Sequence, residues 1–223
     1  MLEFEKKFYQ KIICGIDEVG RGPLAGPVVI AGVILKEPLK LFIEKDSKKL
    51  STKKRLFFFK EIKKRSFKFL IKILDNEDID KLNIYQATLK GANYIHETLK
   101  PDISLTDALK LKQKNHISII KGDEKSQSIA AASILAKVTR DFIMDLIDKF
   151  FPEYFFKKHK GYPTKLHKEA IKLNGITPFH RKSFSNISSF SLNTKNVHTF
   201  YFLKKENRIK LYNYALSILL NNL

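Results

Sequence analysis

The sequence predicts an α/β layer fold with a mixed β-sheet flanked by helices. Three observations support this. Apolar runs of strand length come first, before any long amphipathic segment. Strand-like and helix-like periods then alternate along the chain. The 223 residues, 43% of them hydrophobic, suffice for one ordinary core.

Residues 12–16 form a short apolar run that reads as a buried strand, ending at Asp17-Glu18 and the bend Gly20-Arg21-Gly22-Pro23. Residues 28–35 are a second β-rich run. Ser51 or Thr52 can cap a helix reaching about Arg65. In residues 66–74, Phe67, Phe69, Ile71 and Ile73 alternate with Lys68 and Lys72, the period of a half-buried strand. A helix is predicted over 84–99, closed by Pro101. Short strands follow at 103–106 and 117–120. Ser126 or Ser128 opens a long helix to about Phe150, stopped by Pro152. Its alanine-rich start suits close packing on a sheet. A further helix starts at Pro163 or Thr164 and ends at Asn174-Gly175. Residues 185–200 are Ser/Asn-rich and read as a linker or loose loop before a last helix over about 202–220. The expected organisation is a catalytic domain over 1–184, then a linker and helical segment over 185–223.

Forty-two basic and 23 acidic side chains give a formal charge of +19. Such a surplus points to a polyanionic partner, most often nucleic acid, although a lysine-biased composition produces the same number. Cys14 is the sole cysteine, which excludes an intrachain disulfide and a cysteine-based zinc site. It stands in an apolar run and is expected in the core. The N-terminus carries no apolar signal core, and no stretch approaches the ~18 apolar residues of a membrane span. A reducing cytoplasm and no membrane contact are the expectation.

Carboxylates at strand ends carry the chemistry. Asp17 and Glu18 follow the first strand, Asp107 the strand over 103–106, and Asp123 the strand over 117–120. Each is compatible with a solvated turn. Gathered on one sheet edge they would repel each other, and hard oxygen donors in that number suit Mg²⁺ or Mn²⁺. Two such ions about 3.5–4 Å apart activate water and stabilise a leaving oxygen. Asp46, Asp75, Glu77, Asp78 and Asp80 read as solvated loop residues. Asp141, beside Arg140 in a helix, reads as an ion-pair or supporting residue. Gly20, Gly22 and Gly26 miss the dinucleotide-binding spacing by one residue. A glycine bend still lets backbone approach a ligand, with Arg21 available for a phosphate; an ordinary tight turn is the alternative. Lys157-Lys158-His159-Lys160-Gly161-Tyr162-Pro163 offers a tyrosine for stacking among basic residues, or a core tyrosine in a solvated loop. His159, His167 and His180 lack zinc-ligand spacing. His180-Arg181-Lys182-Ser183-Phe184 reads as a phosphate-contacting loop.

Taken together, these segments resemble ribonuclease HII. The resemblance rests on residues 15–29 (GIDEVGRGPLAGPVV), Asp46-Ser47-Lys48-Lys49-Leu50, Lys121-Gly122-Asp123 with residues 128–138, His159-Lys160-Gly161-Tyr162 and His180–Phe184. It spans about residues 12–184. It implies a ribonuclease H-like fold with a small helical C-terminal part. The implied activity is endonucleolytic cleavage of RNA in RNA–DNA hybrids and incision 5′ of single ribonucleotides in duplex DNA, leaving 5′-phosphates. The partners it implies are those duplexes, met by a monomer. It implies two Mg²⁺ or Mn²⁺ ions on Asp17, Glu18, Asp107 and Asp123. It assigns substrate binding to Gly20, Arg21, Gly22, Lys48, Tyr162, His180 and Arg181, with Tyr162 sensing the RNA-to-DNA junction. Two departures bear on Asp107: Ala108 stands where the family usually has glycine, and the span to Asp123 is slightly short. Asp102 is the fallback for the third acid. A ribonuclease HIII-type nuclease and a non-catalytic nucleic-acid-binding module are the alternatives. The first family carries an extra N-terminal domain, and the second has no need of acids at three strand ends.

Overall fold

In the computed structural model the described residues are 3–8, 10–36, 50–185 and 187–222. Their elements in chain order are α1 (Glu3–Lys7), β1 (Ile13–Val19), β2 (Val28–Leu35), α2 (Thr52–Arg65), β3 (Ser66–Leu74), α3 (Asn76–Leu82) and α4 (Ile84–Leu99). There follow β4 (Ile103–Asp107), β5 (His116–Ile119), α5 (Gly122–Lys125), α6 (Gln127–Phe150), α7 (Phe156–His159), α8 (Lys165–Asn174), α9 (His198–Leu203) and α10 (Lys205–Asn222).

The five strands form one sheet in the order β3-β2-β1-β4-β5. β1, β2 and β3 pair antiparallel, while β4 and β5 run parallel to β1. The mixed sheet follows from the connections: residues 20–27 join β1 to β2, a segment containing α2 joins β2 to β3, and α3 with α4 supply the crossover that a parallel neighbour requires. α4 covers one face through Ala87, Ala92, Ile95 and Leu99, packed with Cys14, Ile16 and Ile30. α6 covers the other, its Ala130, Ala131, Ile134 and Leu135 packed with Val29, Ala31 and Val33. Gly15 makes that contact possible: a Cβ there would lie 2.0 Å from the Ser128 carbonyl carbon. No described helix is long and apolar enough to cross a membrane.

Most expected elements appear within a residue or two, and three differences have physical causes. Phe67 does not share the face of Phe69, Ile71 and Ile73. Leu35 pairs with Ser66 and Ile34 with Lys68, so Phe67 is the extra residue of a bulge and stands 60% exposed. The acidic stretch after β3 is a helix rather than a solvated loop, because Asp75 caps α3 through a reciprocal bond with Asp78. Residues 185–200 are not a loose linker. Ile187, Asn193 and Thr199 are buried, and Leu192 bridges Ile176.

The C-terminal helices are anchored at depth. Arg208 donates to Asp75 Oδ2 from Nη2 at 2.8 Å and from Nε at 3.1 Å, and Tyr212 Oη donates to Asp75 Oδ1 at 2.8 Å. Arg208 also donates to the Phe202 and Leu203 carbonyls at the end of α9. Burial alone would lower the Arg208 pKa, but Asp75, with Glu77, carries it above the usual arginine value.

Candidate active site

Asp17, Glu18 and Asp107 interact where the parallel strands end, and Asp123 follows beyond β5. β1 holds Asp17 and Glu18 two positions before its last residues run into the glycine bend. In the parallel register Ile16 pairs with Thr106, which brings Asp107 beside Asp17. Beyond β5 the chain turns through Lys121 in the left-handed region, and Asp123 follows in α5, 4% exposed. The two loops are tied: Gly122 N–H donates to Asp107 Oδ1 at 3.0 Å. A Cβ on Gly122 would lie 3.4 Å from the Asp107 Cα.

Burial pushes the Asp17 carboxyl well above its usual range. The negative charges of Glu18 and Asp107 add to this, against hydrogen bonds from Ser133 and from the Glu18 N–H at 2.8 Å. Glu18 is raised for the same reason, burial, with Arg21 pulling it down and Asp107 pushing it up. Arg21 Nη1 stands 3.4 Å from Glu18 Oε1 and is itself half exposed. Mutually repelling, desolvated oxygen donors fit a hard divalent cation, which would relieve their charge. Among the described residues no three acidic, thiol or imidazole side chains converge into a ready-made metal cage. The fit therefore rests on charge and donor chemistry. Asp102, the fallback, lies away from these acids. It binds the Ile12 N–H at 2.7 Å, at the end of β4 opposite Asp107.

Beside the acids, two buried arginines shape the glycine bend. Arg181 donates from Nη2 to the Gly20 carbonyl at 2.6 Å, from Nη1 to Arg21 at 3.0 Å and from Nε to Gly26 at 3.1 Å. Arg140 donates to the carbonyls of Pro27, Ala25 and Lys160 at 3.0, 3.1 and 2.9 Å. Burial lowers Arg140 to about 10 and Arg181 to about 9, so both stay charged at neutral pH. Gly20 has φ +104°, and a Cβ there would come within 2.3 Å of Arg140 Nε. Gly22, by contrast, is open, and its nearest neighbour for such a Cβ is the Tyr162 ring at 3.8 Å. Tyr162 is 38% exposed, with the Arg140 guanidinium 5.8 Å from its ring centre. Arg21, Gly22 and Tyr162 are thus exposed beside Glu18, over the buried Gly20.

Two sequence expectations change. His180 and Arg181 do not face a duplex: both are fully buried, and their donors and acceptors are spent inside the protein. They shape the site from behind. Asp141 does form the expected ion pair, but with Lys137 at 2.7 Å instead of its neighbour Arg140. Asp75 is buried in the anchor of α10, not solvated, and Asp80 accepts from the Lys182 and Ser183 N–H groups. Lys48 and the rest of Asp46–Lys49 lie outside the described residues. Sequence reasoning passed over Ser133 and the cradling role of Arg140; the one available signal for the latter was an arginine inside the apolar face of a long helix.

The profile of the family described as Ribonuclease HII matches residues 14–187. A ribonuclease HII of Clostridioides difficile is 52% identical over 188 residues, 81% of this chain and 74% of that one. One of Rickettsia akari is 46% identical over 187 residues, 82% of this chain and 96% of that one. The solved RNase HII in a PCNA complex from Archaeoglobus fulgidus superposes with a TM-score of 0.68 at 26% identity, covering 78% of this chain and 95% of that one. With the acids at the strand ends and the profile running from the first strand past the arginine cradle, the chain belongs to the ribonuclease HII family and is a metal-dependent endoribonuclease of ribonuclease H type.

Proposed function

We propose that Asp17, Glu18, Asp107 and Asp123 hold two divalent ions, Mg²⁺ or Mn²⁺, and that the chain incises duplexes at single embedded ribonucleotides as well as in RNA–DNA hybrids. Such ions supply an activated water and stabilise the leaving oxygen of a phosphodiester. The chain's own groups select the bond. A lone ribonucleotide differs from its neighbours only by its 2′-hydroxyl, so that group must be met directly. The Gly20–Gly22 backbone can meet it, since Gly22 presents no side chain. The next sugar lacks the hydroxyl, and the Tyr162 ring can pack against its apolar face. Arg21, half exposed beside Glu18, is placed for the adjoining phosphate.

The observation that carries this reading is the half-exposed Tyr162 ring edge beside Gly22, in the bend that follows Asp17 and Glu18. The test compares a DNA duplex carrying one ribonucleotide with a continuous hybrid, each with Mg²⁺ and with chelator. Cleavage of both is expected only with metal, and Tyr162→Ala should harm the single-ribonucleotide substrate more. Equal losses on both substrates with a lowered melting temperature would make Tyr162 structural. Cleavage of the long hybrid alone would favour a ribonuclease HIII-like specificity.

A further inference from the structure

Three histidines from separate segments come together behind Tyr162. The His159 and His167 rings stack with centroids 4.4 Å apart, and His180 lies 5.2 Å from His167. His167 and His180 are fully buried and His159 nearly so. Their ring nitrogens can be assigned one by one. The Thr177 N–H donates to His180 Nδ1 at 2.8 Å, so that nitrogen is an acceptor and the proton of neutral His180 sits on Nε2. His180 Nε2 is 3.1 Å from His167 Nε2, which must therefore accept. The proton of His167 is then on Nδ1, which donates to the Tyr162 carbonyl at 3.0 Å. His159 is committed in the same way. Its Nδ1 accepts from the Gly161 N–H at 3.1 Å, and its Nε2 donates to the Tyr154 carbonyl at 2.7 Å. Every nitrogen is used by neutral rings, so no lone pair is left for a metal.

The relay ends on the segment that carries the tyrosine. Three consecutive carbonyls there accept from three different elements: Lys160 from Arg140 of α6, Gly161 from the Leu24 N–H of the glycine bend, and Tyr162 from His167 of α8. The first two bonds tie the segment to the bend. The third ties the Tyr162 carbonyl, which also accepts from the Thr164 N–H at 2.8 Å, to α8.

We propose that the His180–His167 pair is the positioning device of Tyr162, setting the ring beside Gly22 and with it the preference for an RNA-to-DNA junction over continuous hybrid. This rests on the reading of Tyr162 as the junction-contacting ring. Both histidines are positioning residues and touch no substrate. Their protonation works against the arrangement: a second proton on His167 would set two N–H groups against each other across 3.1 Å, and one on His180 would set its Nδ1–H against the Thr177 N–H at 2.8 Å. Burial lowers both rings, His167 to about 4, which keeps the relay neutral under working conditions. The charged or titratable groups around them are His159 of α7, Tyr154 of the preceding turn, Arg181 next in chain, directed at the bend, and Arg140 over Tyr162.

The test uses the full chain, one single-ribonucleotide duplex and one continuous hybrid. His167→Leu removes the donor to Tyr162; His167→Asn replaces Nδ1 with an amide nitrogen and keeps it. The ratio of kcat/KM on the two substrates should fall about fivefold to tenfold in His167→Leu, the size of one hydrogen bond, and return in His167→Asn. A ratio unchanged in His167→Leu, with both activities falling alongside the melting temperature, overturns the proposal. Tyr162→Ala separates the two readings. If it leaves the ratio intact, the junction reading falls and the proposal with it; if it collapses the ratio while His167→Leu does not, the proposal alone falls. A measurement on the wild-type protein guards against a variant that does not fold. ¹⁵N–¹H spectra of the imidazoles at neutral pH should show His180 as the Nε2–H tautomer and His167 as the Nδ1–H tautomer, and the reverse assignment overturns the relay.

Discussion

Asp17 is a buried carboxylate whose neighbours are two more carboxylates, an arrangement that costs stability until a cation joins it. Asp17→Asn keeps the shape and removes the charge. Cleavage should fall by orders of magnitude while duplex binding survives, and the chelated variant should melt at or above the wild-type temperature. A chelated variant that melts lower, with turnover unchanged, would remove Asp17 from the site. Ala108 gives a second prediction. It sits at φ +50° immediately after Asp107, where the family usually has glycine. A left-handed alanine costs roughly 1–2 kcal/mol, so Ala108→Gly should stabilise the fold with activity retained, read by chemical denaturation. Loss of stability would mean that the alanine methyl has a packing role. The carboxylates were legible because polar residues ending apolar runs stand out. Asp107 and Asp102 already differed in sequence, one ending the predicted strand and the other preceding it; strand direction puts one beside Asp17 and the other against Ile12.

Elements were legible where their signals are local. Ser51, Ser126 and Thr164 cap α2, α6 and α8 as their positions suggested. Elements whose logic lies elsewhere in the chain were not. Asp75 caps α3 and also receives Arg208 and Tyr212 from α10, partners that no window around Asp75 contains. The same distance hid Arg181, whose guanidinium serves backbone carbonyls of the glycine bend. This anchor is testable. Asp75→Ala leaves the buried Arg208 guanidinium with only the partly exposed Glu77 as counter-charge, and breaking a buried pair costs at most about 3–5 kcal/mol. The variant should show a lower unfolding midpoint. An Asp75→Leu/Arg208→Met double variant should recover part of the loss, since apolar replacement of a buried pair is far less costly than breaking it. A double variant as unstable as the single one would mean that Arg208 matters through its bonds to the α9 carbonyls.

At the scale of the whole molecule, the surplus of +19 is the least specific observation and needs its own test. Binding through phosphate contacts releases counterions, so even four such contacts weaken affinity about 100-fold between roughly 50 and 200 mM salt. A fall of that order is expected for duplex DNA with one ribonucleotide, measured by anisotropy with metal withheld. A flat response would identify the charge as compositional. The family profile ends at residue 187, yet the core does not: Phe202, Leu211, Tyr212, Ala215 and Leu219 join the cluster built on α6. The C-terminal helices are therefore part of the body that holds α6, and α6 in turn carries Ser133 to Asp17 and Arg140 to the bend.

The Asp75–Arg208 contact spans 133 residues, so it is made late in time as well as in sequence. At synthesis rates of roughly 5–20 residues per second, Asp75 leaves the peptidyl-transfer site about 7–27 s before its partner is joined to the chain. Throughout that interval the nascent protein can form its sheet and crossover helices, but Asp75 has only its local cap. The final turns of synthesis therefore convert a half-braced intermediate into the mature enzyme, and a ribosome stalled before Arg208 would hold a chain with its catalytic acids made and their support unfinished.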